Sequence, residues 1–382
     1  MGARVLVIDH TSREGGAELA LLRVAERLAP RLEIRALLFE DGVLVGRLRR
    51  AGIRTVVLPL GGDVNTTARD RVLAPAAMLR AVSRLLAFVP RLSRAIRRSG
   101  ADLVVANSLK SAVFTALSAP LAGKPWVWHL HDRLAADYLP GPLAQAMRML
   151  AVVGPRGIVV NSGATLATLP ARARAKSTLA YPGLTADAFA PAEPSHPPIV
   201  GMVGRVSPTK GQREFLRAAA LVAAAHPDAR FRVTGAALFG EDAYAAEVAR
   251  LPDELGIADR VELTGWVSDP AVAMRQLSVL VHASPVPEPF GQVVVEAMAA
   301  GVPVVATDAG GVPEILLDAH AGPLGELVPA GDVATLARAI ARALDDPDAA
   351  RARATAAREV AAGRFTIDVT VDAVHDAWSR HL

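Results

Sequence analysis

The sequence predicts an α/β chain built as two parallel-sheet halves in tandem. Three observations lead there. Short β-branched runs alternate with longer helical patterns along the whole chain. The runs are apolar almost throughout, which marks strands buried on both faces. The alternation breaks once, at a proline-rich segment near residue 195, and then restarts. A length of 382 residues agrees, since domains typically take ~100–200 residues each.

In the first half the strand candidates are Arg4–Ile8, Ile34–Leu38, Thr55–Leu58, Leu103–Ala106, Trp126–Leu130 and Gly157–Val160. Helical patterns lie between them, as at Glu18–Leu28 and Ala76–Arg98. The run Ala190–Pro198 carries four prolines and reads as an extended linker. Beyond it the strands are Ile199–Val203, Arg230–Thr234, Arg260–Leu263, Val279–His282, Pro303–Ala306 and Glu326–Val328. The expected division is a first domain over 1–190 and a second over 191–364. Ligands of such sheets bind beyond the carboxyl ends of the strands, so those ends are where chemistry is sought.

Composition excludes several classes. Hydrophobic residues make up 52% of the chain and charged residues 21%, enough for packed cores and against wholesale disorder. With no cysteine, disulfides, thiolate metal sites and cysteine nucleophiles are excluded. The apolar run at the N-terminus is too short for a signal peptide and reads as a first strand. No stretch of ~18 uncharged apolar residues suggests a membrane span, so a cytoplasmic protein is expected. The net charge of +4 hides an asymmetry: residues 1–195 carry +12 and the remainder −8. Two halves of opposite charge suggest different partners.

The strongest motif runs from Ser284 to Glu314. A strand ends near Ala283, a proline-broken loop carries Glu288, and a helix starting near Gly291 carries Glu296. A helix amino end offers free N–H groups and positive potential, which suits the phosphates of a nucleotide sugar. Carboxylates nearby are better placed to accept from sugar hydroxyls. Taken alone, a pair of glutamates at this spacing is also what a solvated helix start would show. The second motif is the loop Gly201–Gly211, with Gly204, Arg205 and Lys210 at a strand-to-helix turn. Two fixed cations there can stabilise the charge of a departing diphosphate, although two solvated side chains would look the same. It is not a Walker A sequence, because Gly-Lys-Ser/Thr is missing. A third motif, Gly15-Gly16 opening a helix after the first strand, can bring backbone N–H groups to a ligand or be a bare turn. In the fourth, Trp126–Asp132, strand alternation puts His129 and His131 on one side. His129 reads as a buried structural histidine, and no third ligand at a suitable spacing supports zinc.

Glu288 and Glu296, with Glu-Ala-Met-Ala-Ala-Gly-Val-Pro-Val-Val and Gly-Gly-Val-Pro-Glu around them, resemble the retaining glycosyltransferases of family 4. That resemblance implies the GT-B fold: two Rossmann-like domains facing across a cleft, the first for the acceptor and the second for the nucleotide sugar. It implies that Glu288 holds hydroxyls of the transferred sugar and Glu296 the ribose, while the amides of Phe290, Gly291 and Gln292 bind sugar hydroxyls and phosphate. Arg205 and Lys210 would stabilise the leaving diphosphate. Gly15 and Gly16 would lie between donor and acceptor, and His131 near the reaction centre. Thr264–Asp269, with Trp266 and Val267, is similar to the turn that cradles the nucleobase. Tyr181–Phe189 departs from the family, with Pro182 where Asn is usual and Thr185 where Asp is usual. The last helix, about 365–382, would pack back on the first domain.

The implied function is transfer of a hexose-type sugar, with retention, from a nucleotide diphosphate sugar to a hydroxyl of a glycan, lipid or small molecule, without metal or cofactor. A sugar-nucleotide epimerase or phosphorylase, a non-catalytic sugar-nucleotide-binding module and an NAD-dependent dehydrogenase remain alternatives. An anionic membrane at the inner face is a candidate partner. Arg80, Arg84, Arg91, Arg94 and Arg98 fall within about 40° of one helical direction, the pattern of a solvated basic face or of a lipid-docking one. Nucleic acid is disfavoured, since aromatics are only 4% of the chain.

Overall fold

A computed structural model describes residues 2–13, 15–60, 75–193, 195–238 and 240–382, with the side chains of 75–86 outside the description. The chain divides into two compact units, Met1–Gly183 with Ile367–Leu382, and Leu184–Thr366.

The first unit holds a seven-stranded parallel sheet. Its strands are β1 (Arg4–Asp9), β2 (Glu33–Leu38), β3 (Arg54–Val57), β4 (Leu103–Ala106), β5 (Trp126–Leu130), β6 (Gly157–Val160) and β7 (Ser177–Leu179). Their order is β3-β2-β1-β4-β5-β6-β7, that of a doubly wound sheet whose switch point lies between β1 and β4. Every residue of β4, β5 and β6 is buried, as apolar runs covered by helices on both faces require. Phe39, Phe88 and Phe114 pack edge to face in one core layer. The helix Ile367–Ser379 closes the other layer against the helix Gly16–Leu28, β6 and β7. Trp378, Val374 and Val371 are buried there, and Arg31 meets Asp372 at 2.8 Å.

In the second unit the strands are β8 (Ile199–Val203), β9 (Arg230–Thr234), β10 (Val261–Gly265), β11 (Val279–His282) and β12 (Val304–Thr307). A short antiparallel hairpin, β13 (Leu317–Asp318) and β14 (Gly322–Pro323), precedes β15 (Glu326–Val328). The parallel order β10-β9-β8-β11-β12-β15 repeats the first sheet's logic, with its switch between β8 and β11. The proline-rich segment, expected as the linker, runs inside this unit. Backbone bonds from Ala192 to Ala300 and from Glu193 to Arg275, both 2.8 Å, tie it down.

The arginine-rich pattern forms one helix, Pro75–Ser99, that passes through Pro90. Arg91, Arg94 and Arg98 are exposed and Leu92 and Ile96 buried, while the side chains of Arg80 and Arg84 lie outside the described residues. Among the described residues no helix is long and apolar enough to cross a membrane.

Candidate functional site

In the second unit, the loops after β8 and β11 are drawn together at the switch point. The helix Gln212–Ala225 begins at Gly211, whose φ is +83°. A Cβ there would lie 1.9 Å from the Ala283 carbonyl, so only glycine lets the two loops touch this closely. The Ser284 hydroxyl donates to the Thr209 carbonyl at 2.6 Å and locks the contact. As a result Lys210 Nζ reaches Glu288 Oε1 at 2.5 Å. The other oxygen, Oε2, lies 3.4 Å from His282 Nε2, and His282 Nδ1 lies 3.1 Å from Thr307 Oγ1. Burial opposes charge on Glu288, but the charge and hydrogen bond of Lys210, with the His282 ring beside it, outweigh it, holding the carboxyl well below the usual carboxylate range.

The Gly310-Gly311 pair explains why its motif follows the glutamates. Gly310 has φ +66°, and a Cβ on it would sit 2.0 Å from the Glu288 carbonyl oxygen and 2.6 Å from the Glu288 nitrogen. Gly311 N–H donates to that same carbonyl at 2.9 Å. These glycines form the floor on which Glu288, Pro289 and Phe290 rest. Gly310→Ala is expected to destabilise the protein by about 3 kcal/mol and to displace Glu288. Urea unfolding checks it, and an unchanged midpoint would contradict the close packing.

Arg205 lies on the same loop as Lys210. Its guanidinium meets Glu241 at 3.3 Å, and Glu241 also accepts from the Ser207 hydroxyl at 2.7 Å. Gln212 braces the loop from below, donating to the Arg205 carbonyl at 2.9 Å. Gly204 leads into this loop and is exposed. Gly291 precedes the helix Gln292–Ala300, so the amides after it open that helix without intrahelical acceptors. Within it, Gln292 donates to Glu296 at 3.0 Å. Phe290 is buried, edge-on to Phe365. Trp266 and Val267 follow the edge strand β10, and Trp266 is 65% exposed.

In the first unit the polar residues at the carboxyl ends of β1, β4 and β5 form a chain. Asn107 donates from Nδ2 to Asp9 Oδ2 at 2.7 Å, and its Oδ1 meets His131 Nε2 at 3.0 Å. Asp9 Oδ1 accepts the His10 backbone N–H at 2.6 Å. The His129 and His131 rings lie 4.4 Å apart. Burial lowers both below the ordinary histidine value, His131 against the opposing charges of Asp132 and Asp9. Gly15 caps the helix Gly16–Leu28, with the Glu18 carboxylate folded back over it. Burial first, then the charges of Asp9 and Asp132, raise Glu18 to about 8.

Sequence reasoning gave Lys210 and Glu288 separate roles, and the structure brings the two side chains into contact. It missed His282, Glu241, Asp9 and Asn107. A readable signal existed for three of them: His282, Asp9 and Asn107 are the first polar residues at the carboxyl ends of apolar strands.

Residues 185–360 match the glycosyl transferases group 1 family, and residues 42–187 match glycosyltransferase family 4. The 2-deoxystreptamine glucosyltransferase of Streptomyces kanamyceticus is 31% identical over 307 residues, 71% of this chain and 75% of that enzyme. The chain belongs to the family 4 glycosyltransferases. Another similar member is the D-inositol 3-phosphate glycosyltransferase of Mycolicibacterium smegmatis, 34% identical over 264 residues. That match covers 65% of this chain and 58% of the relative, and it falls to 48% of the Mycolicibacterium paratuberculosis enzyme. The chain thus spans only about half the length of several curated relatives it matches. Among solved structures, Anabaena HepE in complex with UDP and glucose superposes with a TM-score of 0.83 at 26% identity, covering 98% of this chain and 99% of that one. Sucrose-phosphate synthase from Thermosynechococcus elongatus gives 0.81 at 21% identity, covering 99% and 98%, a likeness of fold. The two parallel-sheet α/β domains of this family 4 glycosyltransferase match GT-B glycosyltransferase structures.

Proposed function

We propose that this protein transfers a hexosyl group, with retention, from a uridine diphosphate sugar to a hydroxyl acceptor. The observation that carries the reading is the cluster at the second sheet's switch point. Lys210 and Arg205 stand on one strand-to-helix turn, and Lys210 holds the buried carboxylate of Glu288. Cations fixed in this way stabilise a leaving diphosphate without reorganising when charge develops. Glu288, kept ionised, accepts hydrogen bonds from sugar hydroxyls. The choice of uridine rests on HepE, whose complexes hold UDP and UDP-glucose.

In the scheme proposed, the bond from the anomeric carbon to the phosphate oxygen breaks first. The acceptor oxygen then bonds that carbon on the same face, and its proton passes to the departing phosphate. The products are a glycoside and UDP, with no protein nucleophile and no metal in the step. His131 accepts from a hydroxyl of the bound sugar.

Thermal-shift measurements with UDP-glucose, GDP-mannose and ADP-glucose test the donor. UDP-glucose is expected to raise the melting temperature most, adding about 2.7 kcal/mol at ~100-fold over its Kd. Slow release of UDP without an acceptor is expected alongside. No stabilisation by any of the three, and no release, would overturn the reading.

A further inference from the structure

The geometry points to Asp9 and Asn107 as positioning residues that hold His131 in the Nε2–H tautomer, so that Nδ1 is presented as a hydrogen-bond acceptor. This inference rests on the proposed sugar contact of His131 and states which atom makes it.

The argument follows donors and acceptors along the chain. Asp9 is buried, and its two oxygens are both engaged. Burial raises its pKa, but the hydrogen bond and charge of His10 and the bond from Asn107 outweigh that and leave it lowered. An ionised carboxylate only accepts. Asn107, 1% exposed, must therefore turn its NH2 toward Asp9, and its carbonyl oxygen is the atom left to face His131. That oxygen also only accepts, so His131 Nε2 must carry the proton. The ring is neutral at pH 7 because burial lowers its pKa, and a neutral imidazole with hydrogen on Nε2 has its lone pair on Nδ1. The other titratable groups of this edge are His10 on β1's end, Glu18 on the first helix, His129 on β5 and Asp132 beyond it. The hydrogen bond at Nε2 is the one to Asn107 Oδ1, and it sets the tautomer.

One near-isosteric substitution should invert the whole chain. In Asp9→Asn the His10 N–H, at 2.6 Å from Oδ1, still needs an oxygen there. The new amide must then point its NH2 at Asn107. Asn107 turns over to offer its oxygen, its NH2 faces His131, and Nε2 becomes the acceptor. The proton moves to Nδ1, and the acceptor atom presented to the sugar becomes a donor.

The test is nitrogen NMR of the full chain labelled at histidine, near neutral pH and without ligand, with the His131 signal assigned by its loss in His131→Gln. In the parent protein the expected result is a protonated Nε2 and an unprotonated Nδ1. In Asp9→Asn the two assignments exchange, and kcat/KM for transfer falls by on the order of 10²-fold or more. A parent protein with the proton on Nδ1, or on both nitrogens, would overturn the proposal even if the variant fails to fold. The same tautomer in parent and folded variant would overturn it too. An exchange of tautomer without loss of transfer would uphold the positioning by Asp9 and Asn107 and remove His131 from the donor-sugar site, which separates this inference from the functional reading beneath it.

Discussion

Lys210→Ala is expected to lower turnover by about 10³-fold while costing only about 1–2 kcal/mol of folding stability. The kinetic figure follows from removing one preorganised charge aimed at a developing anion, typically worth 10²–10³ in rate. The stability figure is smaller than for a fully buried pair, because the Lys210 side chain is 35% exposed and water screens what is lost. The carboxylate of Glu288 keeps His282 at 3.4 Å and gains a proton more readily once its nearest cation is gone. The double variant Lys210→Ala with Glu288→Gln separates the two effects. It should recover most of the lost stability, since no orphaned carboxylate remains, and recover none of the turnover. Steady-state kinetics and urea unfolding of both proteins decide. A Lys210→Ala enzyme within tenfold of parent turnover would remove the proposed role.

The second large effect concerns Glu18, whose folded pKa of about 8 stands above its ordinary value of 4.5. Between those values the folded state holds a proton that the unfolded chain releases. Stability therefore falls as pH rises from about 4.5 to about 8, and the full cost is present above 8. A shift of this size corresponds to on the order of 5 kcal/mol. Glu18→Gln keeps the shape and removes the titration. It should match the parent near pH 4.5 and exceed it by a few kcal/mol at pH 8.5. Denaturation midpoints measured at pH 5, 7 and 8.5 give the answer, and a gap that does not widen with pH would refute the buried acid.

The sequence made the sheets legible because most of their inner strands, such as β4, β5, β6 and β11, are short apolar runs. β4, β5, β6, β8, β9, β11 and β15 begin and end where the residues said they would. The largest departures are at two edge strands, β7 and β10. β7, Ser177–Leu179, is three residues long and only partly covered, so it carries no apolar signature. β10 was expected over Arg260–Leu263, but it runs Val261–Gly265, where a register shift before Gly265 lets the strand continue past the hydrophobic pattern. The same contrast holds at the candidate site. Local motifs announced Arg205, Lys210, Glu288 and the helix opening at Gly291. Contacts between residues far apart in the chain did not show, such as Lys210 with Glu288 or Asp9 with Asn107. Spacing along a chain reveals which face or loop a residue occupies. It does not reveal that Gly211 and Gly310 lack side chains so that two backbones can touch.

The first unit is discontinuous: it takes its last helix, Ile367–Ser379, from the far end of the chain. During synthesis the stretch Leu184–Thr366 is whole before that helix leaves the ribosome. The unit translated first is thus the one completed last, and until then Val5, Leu21 and Ala180 lack the cover of Val371 and Trp378. The order of maturation runs opposite to the order of translation, and a released chain truncated before residue 367 would carry one finished unit behind an unfinished one.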